Sequence, residues 1–384
     1  MKIKTLAIQK LEIPFKLAFK HSSATRLQTE AVIVVAESAR GNKGYGEGCP
    51  RSYVTGETLE TAFNFFKSVQ PELLSIANVD QIQAWVAEHQ QALDKNPAAW
   101  CAVELALLDL ISKENQQPVE TLLSLPELSG DFCYTAVLGV NTLPAFKKQL
   151  EKYVGLGFTD FKVKVSGNIK EDQERILLFK TLPEKIKPPL GAEPIKTPLG
   201  AGPIKIRLDA NNLWHDANEA IDYIEKLSHP FFAIEEPLQT GDYDGCKKIS
   251  QTLKIPIILD ESFTRIGQFE SIHASPENWI VNLRISKMGG LLRSLAIAEQ
   301  AQRLQIPIII GAQVGETSIL TRAALTVANA YREILLGQEG AFGTHLLEHD
   351  FTEPSIMFGK KGLLSATPYS KTPGLTSVPL DPNG

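Results

Sequence analysis

"FKVKV", residues 161–165, is the stretch that decides the fold. Phe161, Val163 and Val165 alternate with Lys162 and Lys164. Successive side chains of a strand point to opposite faces, so the apolar three share one face and two ammonium groups share the other. In a barrel wrapped by helices, the apolar face packs outward against the helices. The lysines then point inward, with Cβ atoms about 7 Å apart, toward the C-terminal mouth.

The pattern recurs downstream. In "IRLDAN" Ile206 and Leu208 share one face, while Arg207, Asp209 and Asn211 share the other. In "FFAIEEP" Phe232 and Ile234 face out and Ala233 and Glu235 face in. In "IPIILDES" Ile257 and Leu259 face out and Ile258 and Asp260 face in. Each strand therefore delivers one inward carboxylate near its C-terminal end. The three recur 26 and then 25 residues apart, one β/α unit each time. Neighbouring strands lie about 5 Å apart, so the three carboxylates converge. Such a group repels itself unless a cation sits within it. Oxygen donors without Cys or His suit Mg²⁺ better than zinc. A single strand-end acid commonly caps the next helix, but three in register opposite an inward lysine pair fit that reading poorly. Glu236 and Glu261 have the opposite parity and read as helix-start or supporting groups.

The whole chain accommodates this architecture. It has 384 residues, 43% hydrophobic and 22% charged, an ordinary globular composition long enough for two domains or a large barrel with additions. A net charge of −5 gives no general attraction to nucleic acid or anionic membrane. No apolar run approaches the roughly 20 residues of a spanning helix. The opening "MKIKTLAIQKLEIPF" alternates like a strand and carries no secretory h-region, so the expected location is the cytoplasm. The four cysteines, Cys49, Cys101, Cys133 and Cys246, form no CxxC pair and read as core residues.

Residues 1–60 read as strands and turns, followed by helix to about residue 115. "AAWCAVELALLDLIS" is apolar nearly all round, so that helix is expected to be buried. From about residue 132 short apolar strands alternate with helices: "CYTAVLGV", "DFKVKV", "IKIRLDAN", "FFAIEEP", "IPIILDE", "WIVNLR", "PIIIGAQ" and a weak "EGAFG". Eight such strands predict an α/β fold, a modified TIM barrel of (β/α)7β type. The expected division is an α+β capping domain over 1–128, the catalytic barrel over 129–350, and a Pro/Gly/Ser-rich segment, 351–384, that packs back on the cap. "KPPLGAEPI" (187–195) and "KTPLGAGPI" (196–204) repeat at a period of nine. Two copies cannot build a solenoid, so they read as a loop insertion without a catalytic role.

"FKVKV", "RLDANNLW", "AIEEP", "ILDES" and "VNLRISKMGG", in this order and spacing, resemble the enolase superfamily, muconate-lactonizing subgroup; "GYGEGCPRSYVTGET" resembles that family's capping domain. The resemblance covers nearly the whole chain. It implies a Mg²⁺ ion (Mn²⁺ as a substitute) held by Asp209, Glu235 and Asp260, bound in turn to the carboxylate of a small-molecule substrate. It also implies that Lys164 removes the α-proton while Lys162 tunes it. A fixed dication stabilises charge that builds on carboxylate oxygens. A lysine must be neutral to act as a base, and a neighbouring ammonium, a dication and burial all favour the neutral form. Asn211 and Glu261 are expected to support this set. A homo-oligomer is compatible with the resemblance.

The sixth strand departs from the pattern. Family members usually carry a second catalytic lysine there, on the other face of the substrate. In "VNLRISKMGG" the matching position is Arg284; Lys287 has outward parity and reads as a poor substitute. Arginine is hardly ever deprotonated, but its planar fork holds a carboxylate or enolate well. The expected reaction is therefore one-face chemistry by Lys164, a cycloisomerisation or a syn elimination of water. The alternatives are epimerisation or racemisation of an amino acid derivative or dipeptide, a non-catalytic metal-binding member, and a Schiff-base enzyme using Lys164 as amine. "GAQVGET" has no histidine, and "GQEGAFGTHLLEHD" lacks paired aspartates of the kind dipeptide epimerases use. His21, Arg26, Arg51 and Tyr53 of the cap, with Gln313 and Glu316 of the barrel, are the candidate substrate contacts.

Overall fold

The computed structural model describes residues 1–20, 25–182 and 204–376. The repeat at 187–204, apart from Ile204, lies outside the described residues. Three strands, β1 (Ile3–Leu11), β2 (Ala31–Ser38) and β3 (Lys43–Gly48), form an antiparallel sheet in the order β1-β2-β3. A short hairpin, Pro14–Lys20 with Thr25–Gln28, stands beside it. The sheet is covered by helix α1 (Pro97–Glu114), in which every residue from Pro97 to Ser112 is buried. That matches its unpatterned apolar sequence.

The contact between β3 and α1 has a specific cause. Gly44, Gly46 and Gly48 recur at the strand period of two and face Ala106, Ala102 and Ala98, which recur at the helical spacing of four. A Cβ at any of the three glycines would overlap the facing alanine carbonyl oxygen. Backbone therefore lies directly on backbone, which only residues this small permit.

Eight parallel strands follow in one sheet, adjacent in chain order: β4 (Ala136–Leu138), β5 (Asp160–Lys164), β6 (Lys205–Asp209), β7 (Ala233–Glu235), β8 (Ile257–Leu259), β9 (Trp279–Leu283), β10 (Ile308–Ile310) and β11 (Leu335–Gln338). The Tyr134–Gln338 bridge brings the last strand against the first. The eighth strand is "LLGQ", just before the expected "EGAFG". Six strand connections contain α-helices, and the β8–β9 connection contains 3₁₀ turns instead. The inward positions Ala233, Ile258, Ile280 and Ile309 pack as a small interior cluster, while Phe161, Val163, Leu208, Ile234, Leu259 and Leu283 belong to the core outside the barrel. The strand parity read from sequence is the parity observed at these positions, except that Phe232, read as outward, lies before the start of β7 and packs against the interior cluster.

The C-terminal segment meets both parts. Leu363–Ser365 pairs antiparallel with Asp131–Cys133, and the backbone N–H groups of Leu375 and Thr376 donate to the Asp109 carboxylate on α1. No helix among the described residues is long and apolar enough to cross a membrane. All four cysteines are free, three of them buried.

Overpacking a tight interior contact costs about 1–3 kcal/mol, and more where backbone must separate. Gly46→Val is expected to lower the unfolding free energy by about 3 kcal/mol or more, measured by urea denaturation; an unchanged midpoint refutes the backbone-to-backbone account of this contact.

Candidate active site

Strand register brings the charged residues together. Lys164 on β5 pairs with Asp209 on β6, and Asp209 with Glu235 on β7, so the three lie side by side across three strands. Asp260 lies just beyond the end of β8, beside β9. Asp209, Glu235 and Asp260 are all buried. None of the three is a helix cap: the helices after β6 and β7 are capped by Asp216 and Asp242, whose side chains accept from Asn218, Glu219 and Gly245 backbone N–H groups.

Each acid has a cationic neighbour. Lys162 Nζ donates to Glu235 Oε1 at 2.7 Å and lies 3.3 Å from Asp209 Oδ2 and from Glu339 Oε2. Burial opposes the charge on Lys162, but Asp209, Glu235 and Glu339 outweigh it and raise its pKa. Burial likewise pushes Asp209 up, but Lys162 and Lys164 overrule it and hold that carboxyl well below its ordinary range. Glu235 is raised by burial and by the neighbouring Asp209 and Glu339, with Lys162 opposing. Lys164 Nζ donates to Asn211 Oδ1 at 2.7 Å and stands 3.3 Å from Asp209 Oδ2.

Arg284, at the end of β9, donates through Nη2 to Asp260 Oδ2 and through Nη1 to Gln313 Oε1 at 3.1 Å. Lys287 corrects the parity reading. The chain turns helical directly after Arg284 (α2, Ile285–Met288), so strand alternation stops applying. Lys287 is fully buried and its Nζ donates to Asp260 Oδ1, Asp260 O and Asn282 O at 2.7–2.8 Å. Burial and the Arg284 charge push Lys287 down to about 7.

Lys162, Lys164, Asp209, Asn211, Glu261, Arg284, Gln313 and Tyr53 line one cavity, whose other walls include Val137, Val314, Phe342 and Leu346. Glu261 is pushed up to about 7 by burial and by nearby Glu236, Asp209 and Glu235. Arg26 lies behind Tyr53, with its guanidinium 5.5 Å from the ring centroid, and pairs with Glu30. Arg51 is placed away from the cavity: it is buried and donates to the backbone carbonyls of Glu30, Pro50 and Val314, tying cap to barrel. Glu316 accepts from the Gln313 backbone N–H at 2.5 Å and is pushed up to about 8 by burial. His21 lies outside the described residues.

Two further acids take part. Glu339 reaches into the cavity and accepts from Arg207 Nη2 at 2.8 Å. Its sequence signal was Arg207 itself, an inward arginine that needs a carboxylate partner. Glu236, in the left-handed region at φ 40°, accepts from the Asp260 N–H at 2.6 Å and from both the N–H and the hydroxyl of Ser262 at 2.8 Å. It sets the turn that aims Asp260.

The donor set suits a hard dication: three buried carboxylates from adjacent strands, with Glu235 Oε2 buried and without a hydrogen-bond partner among the described residues. As arranged, each carboxylate is turned toward a cationic side chain, and no three acids among the described residues form a ready metal cluster. The residues fit the ion chemically, and their present geometry is that of a charge-balanced cluster.

Residues 3–124 match the mandelate racemase / muconate lactonizing enzyme N-terminal domain, and residues 145–376 match the enolase C-terminal domain-like family. The chain belongs to the mandelate racemase/muconate lactonizing enzyme group of the enolase superfamily. Within the family it is 26% identical over 332 residues to the N-succinyl-L-Arg/Lys racemase of Bacillus cereus, covering 85% of this chain and 84% of that protein. It is 27% identical over 342 residues to the hydrophobic dipeptide epimerase of Enterococcus faecalis, covering 87% and 89%. A crystal structure of the dipeptide epimerase from Enterococcus faecalis, complexed with Mg and L-Leu-L-Tyr, shares the fold with a TM-score of 0.81 at 24% identity, over 98% of this chain and 99% of that one.

Replacing Glu236 leaves three donors around Asp260 buried without an acceptor, at about 1–3 kcal/mol for each group left unsatisfied. Glu236→Ala is therefore expected to destabilise the fold by about 3 kcal/mol or more. The check is urea denaturation with Glu236→Gln alongside, which keeps one acceptor oxygen and is expected to lose less.

Proposed function

We propose that this chain is a Mg²⁺-dependent epimerase or racemase that removes and returns the α-proton of an amino-acid-derived carboxylate, an N-acyl amino acid or a dipeptide. The observation that carries the reading is Lys164, whose amine lines the cavity beside the Asp209–Glu235 pair. The relatives matched over most of their length support it, since they are epimerases and racemases of such compounds. Asp209, Glu235 and Asp260 would hold the ion. Bound there, it supplies positive charge for the substrate carboxylate as electrons move onto its oxygens.

The protein's own groups do the rest. Lys164 takes the proton from one face of the α-carbon, and Asn211 Oδ1 accepts from its amine and fixes its direction. Lys162, charged and buried among three acids, keeps Glu235 and Asp209 in place. The apolar wall of Val137, Val314, Phe342 and Leu346 accepts a hydrocarbon side chain and excludes water. Gln313 and Tyr53, which also line the cavity, offer polar contacts, with Glu316 bonded behind Gln313.

Arg284 favours a second reading. Inversion needs a proton donor on the other face, and a guanidinium gives up protons poorly. One-face chemistry by Lys164, ending in elimination of water or ring closure, requires only that Arg284 hold an anionic oxygen.

Both readings are tested in D₂O with Mg²⁺ and a panel of N-acyl amino acids, dipeptides and diacids, followed by ¹H NMR. Epimerisation predicts deuterium at the α-carbon together with the opposite epimer. One-face chemistry predicts exchange with retention, or an unsaturated or cyclised product without the epimer. Lys164→Ala is expected to lose about 10²–10⁴-fold in either case. A fully active Lys164→Ala excludes both readings.

A further inference from the structure

Asp260 carries two cations at once. Lys287 engages Oδ1, and Arg284 engages Oδ2. The other two proposed ligands keep free capacity: among the described residues, Glu235 Oε2 has no hydrogen-bond partner, and Asp209 Oδ1 accepts only the Asn211 backbone N–H at 3.1 Å. A dication placed among the three acids therefore meets its obstacle at Asp260. Taking an Asp260 oxygen sets it against Arg284 and Lys287, whose donors already occupy one lone pair on each oxygen, and positive charges at this range repel strongly in a buried site.

One of the two must give way, and their surroundings decide which. Lys287 has three oxygen acceptors, two of them backbone carbonyls, and its side chain is 0% exposed. Leaving would strand a buried ammonium or those carbonyls. Arg284 is 12% exposed, lines the cavity and already holds a second acceptor in Gln313 Oε1. Its Nε is buried without a hydrogen-bond partner among the described residues, so its present seat does not satisfy it fully.

We infer that Arg284 is a built-in rival of the divalent ion: it neutralises Asp260 until metal binds, and metal entry drives its guanidinium toward Gln313, which it already contacts, where it faces the substrate. This rests on the reading of Asp209, Glu235 and Asp260 as the metal carboxylates. Two consequences follow. The ion binds more weakly than the three acids alone would allow, and metal occupancy sets whether a cation is offered to an anionic group on the substrate.

The test is isothermal titration of MgCl₂ into the EDTA-stripped full chain, comparing the unaltered protein with Arg284→Met, Arg284→Lys and Asp260→Asn. Circular dichroism checks folding, and Mg²⁺-induced melting shifts give a second readout. Removing the rival charge is expected to tighten Mg²⁺ binding about tenfold or more and to enlarge the melting shift. Arg284→Lys, shorter and without the fork, is expected to fall between, and it carries the comparison alone if Arg284→Met does not fold. Asp260→Asn is expected to bind weakly with Arg284 intact. If the unaltered protein binds one ion and neither Arg284 variant binds more tightly, the rivalry is refuted while the carboxylate site stands. If neither the unaltered protein nor the Arg284 variants take up the ion, the metal reading fails and this inference with it.

Discussion

The ammonium of Lys162, buried among Asp209, Glu235 and Glu339, is the interaction on which the mouth of the barrel depends. A buried carboxylate without a partner costs several kcal/mol, and this mouth contains three of them within one hydrogen-bond radius of a single cation. Removing the cation would leave Lys164 beside Asp209 and Arg207 beside Glu339, but would take from Glu235 its ion-pair partner in a medium that screens like charges poorly. Arg207 extends the network from below through Glu339, and Thr135 takes another of its N–H groups at 2.7 Å. The network holds only because strand register sets Lys164, Asp209 and Glu235 in one row.

The cap is fastened to this barrel by buried glutamates that serve as helix caps across the boundary. Glu47 on β3 accepts from the Thr317 N–H and hydroxyl at the start of the helix Ser318–Ala330, and Glu104 on α1 accepts from the Leu292 N–H at the start of the helix Leu291–Arg303. Glu57 does the same within the cap for Ala98 and Ala99 at the start of α1. Burial pushes all three up to about 7. With β3 lying backbone-to-backbone on α1, they fix where the 49–58 loop emerges. Tyr53 therefore reaches the cavity from the cap without belonging to the barrel.

Arg284 separates this chain's chemistry from the simplest transfer of a two-lysine mechanism. A guanidinium at the end of β9 is a poor proton donor but a strong counter-ion. Its partners, Asp260 and Gln313, lie on the two sides between which it would have to choose. The Asp260 carboxylate is in turn aimed by Glu236 and anchored by Lys287, so the side chain free to respond to a ligand is the arginine.

Much of this was legible in the residues. Alternation in "FKVKV", "IRLDAN", "AIEEP" and "IILDE" determined which side chains enter the barrel, because a strand's side-chain period is two whatever surrounds it. The nearly all-round apolar sequence of 97–112, interrupted by Glu104, Asp109 and Ser112, determined that α1 is buried. The sequence could not show Lys287 at Asp260, because the helical turn after Arg284 cancels strand parity at that point. Nor could it show Arg51 spent on backbone carbonyls, or Glu339 joined to Arg207 from 132 residues away. Those pairings depend on closing the sheet and seating the cap. Periodicity is a local property of the chain, whereas the choice of partner for a buried charge is made only when distant strands come within hydrogen-bonding distance.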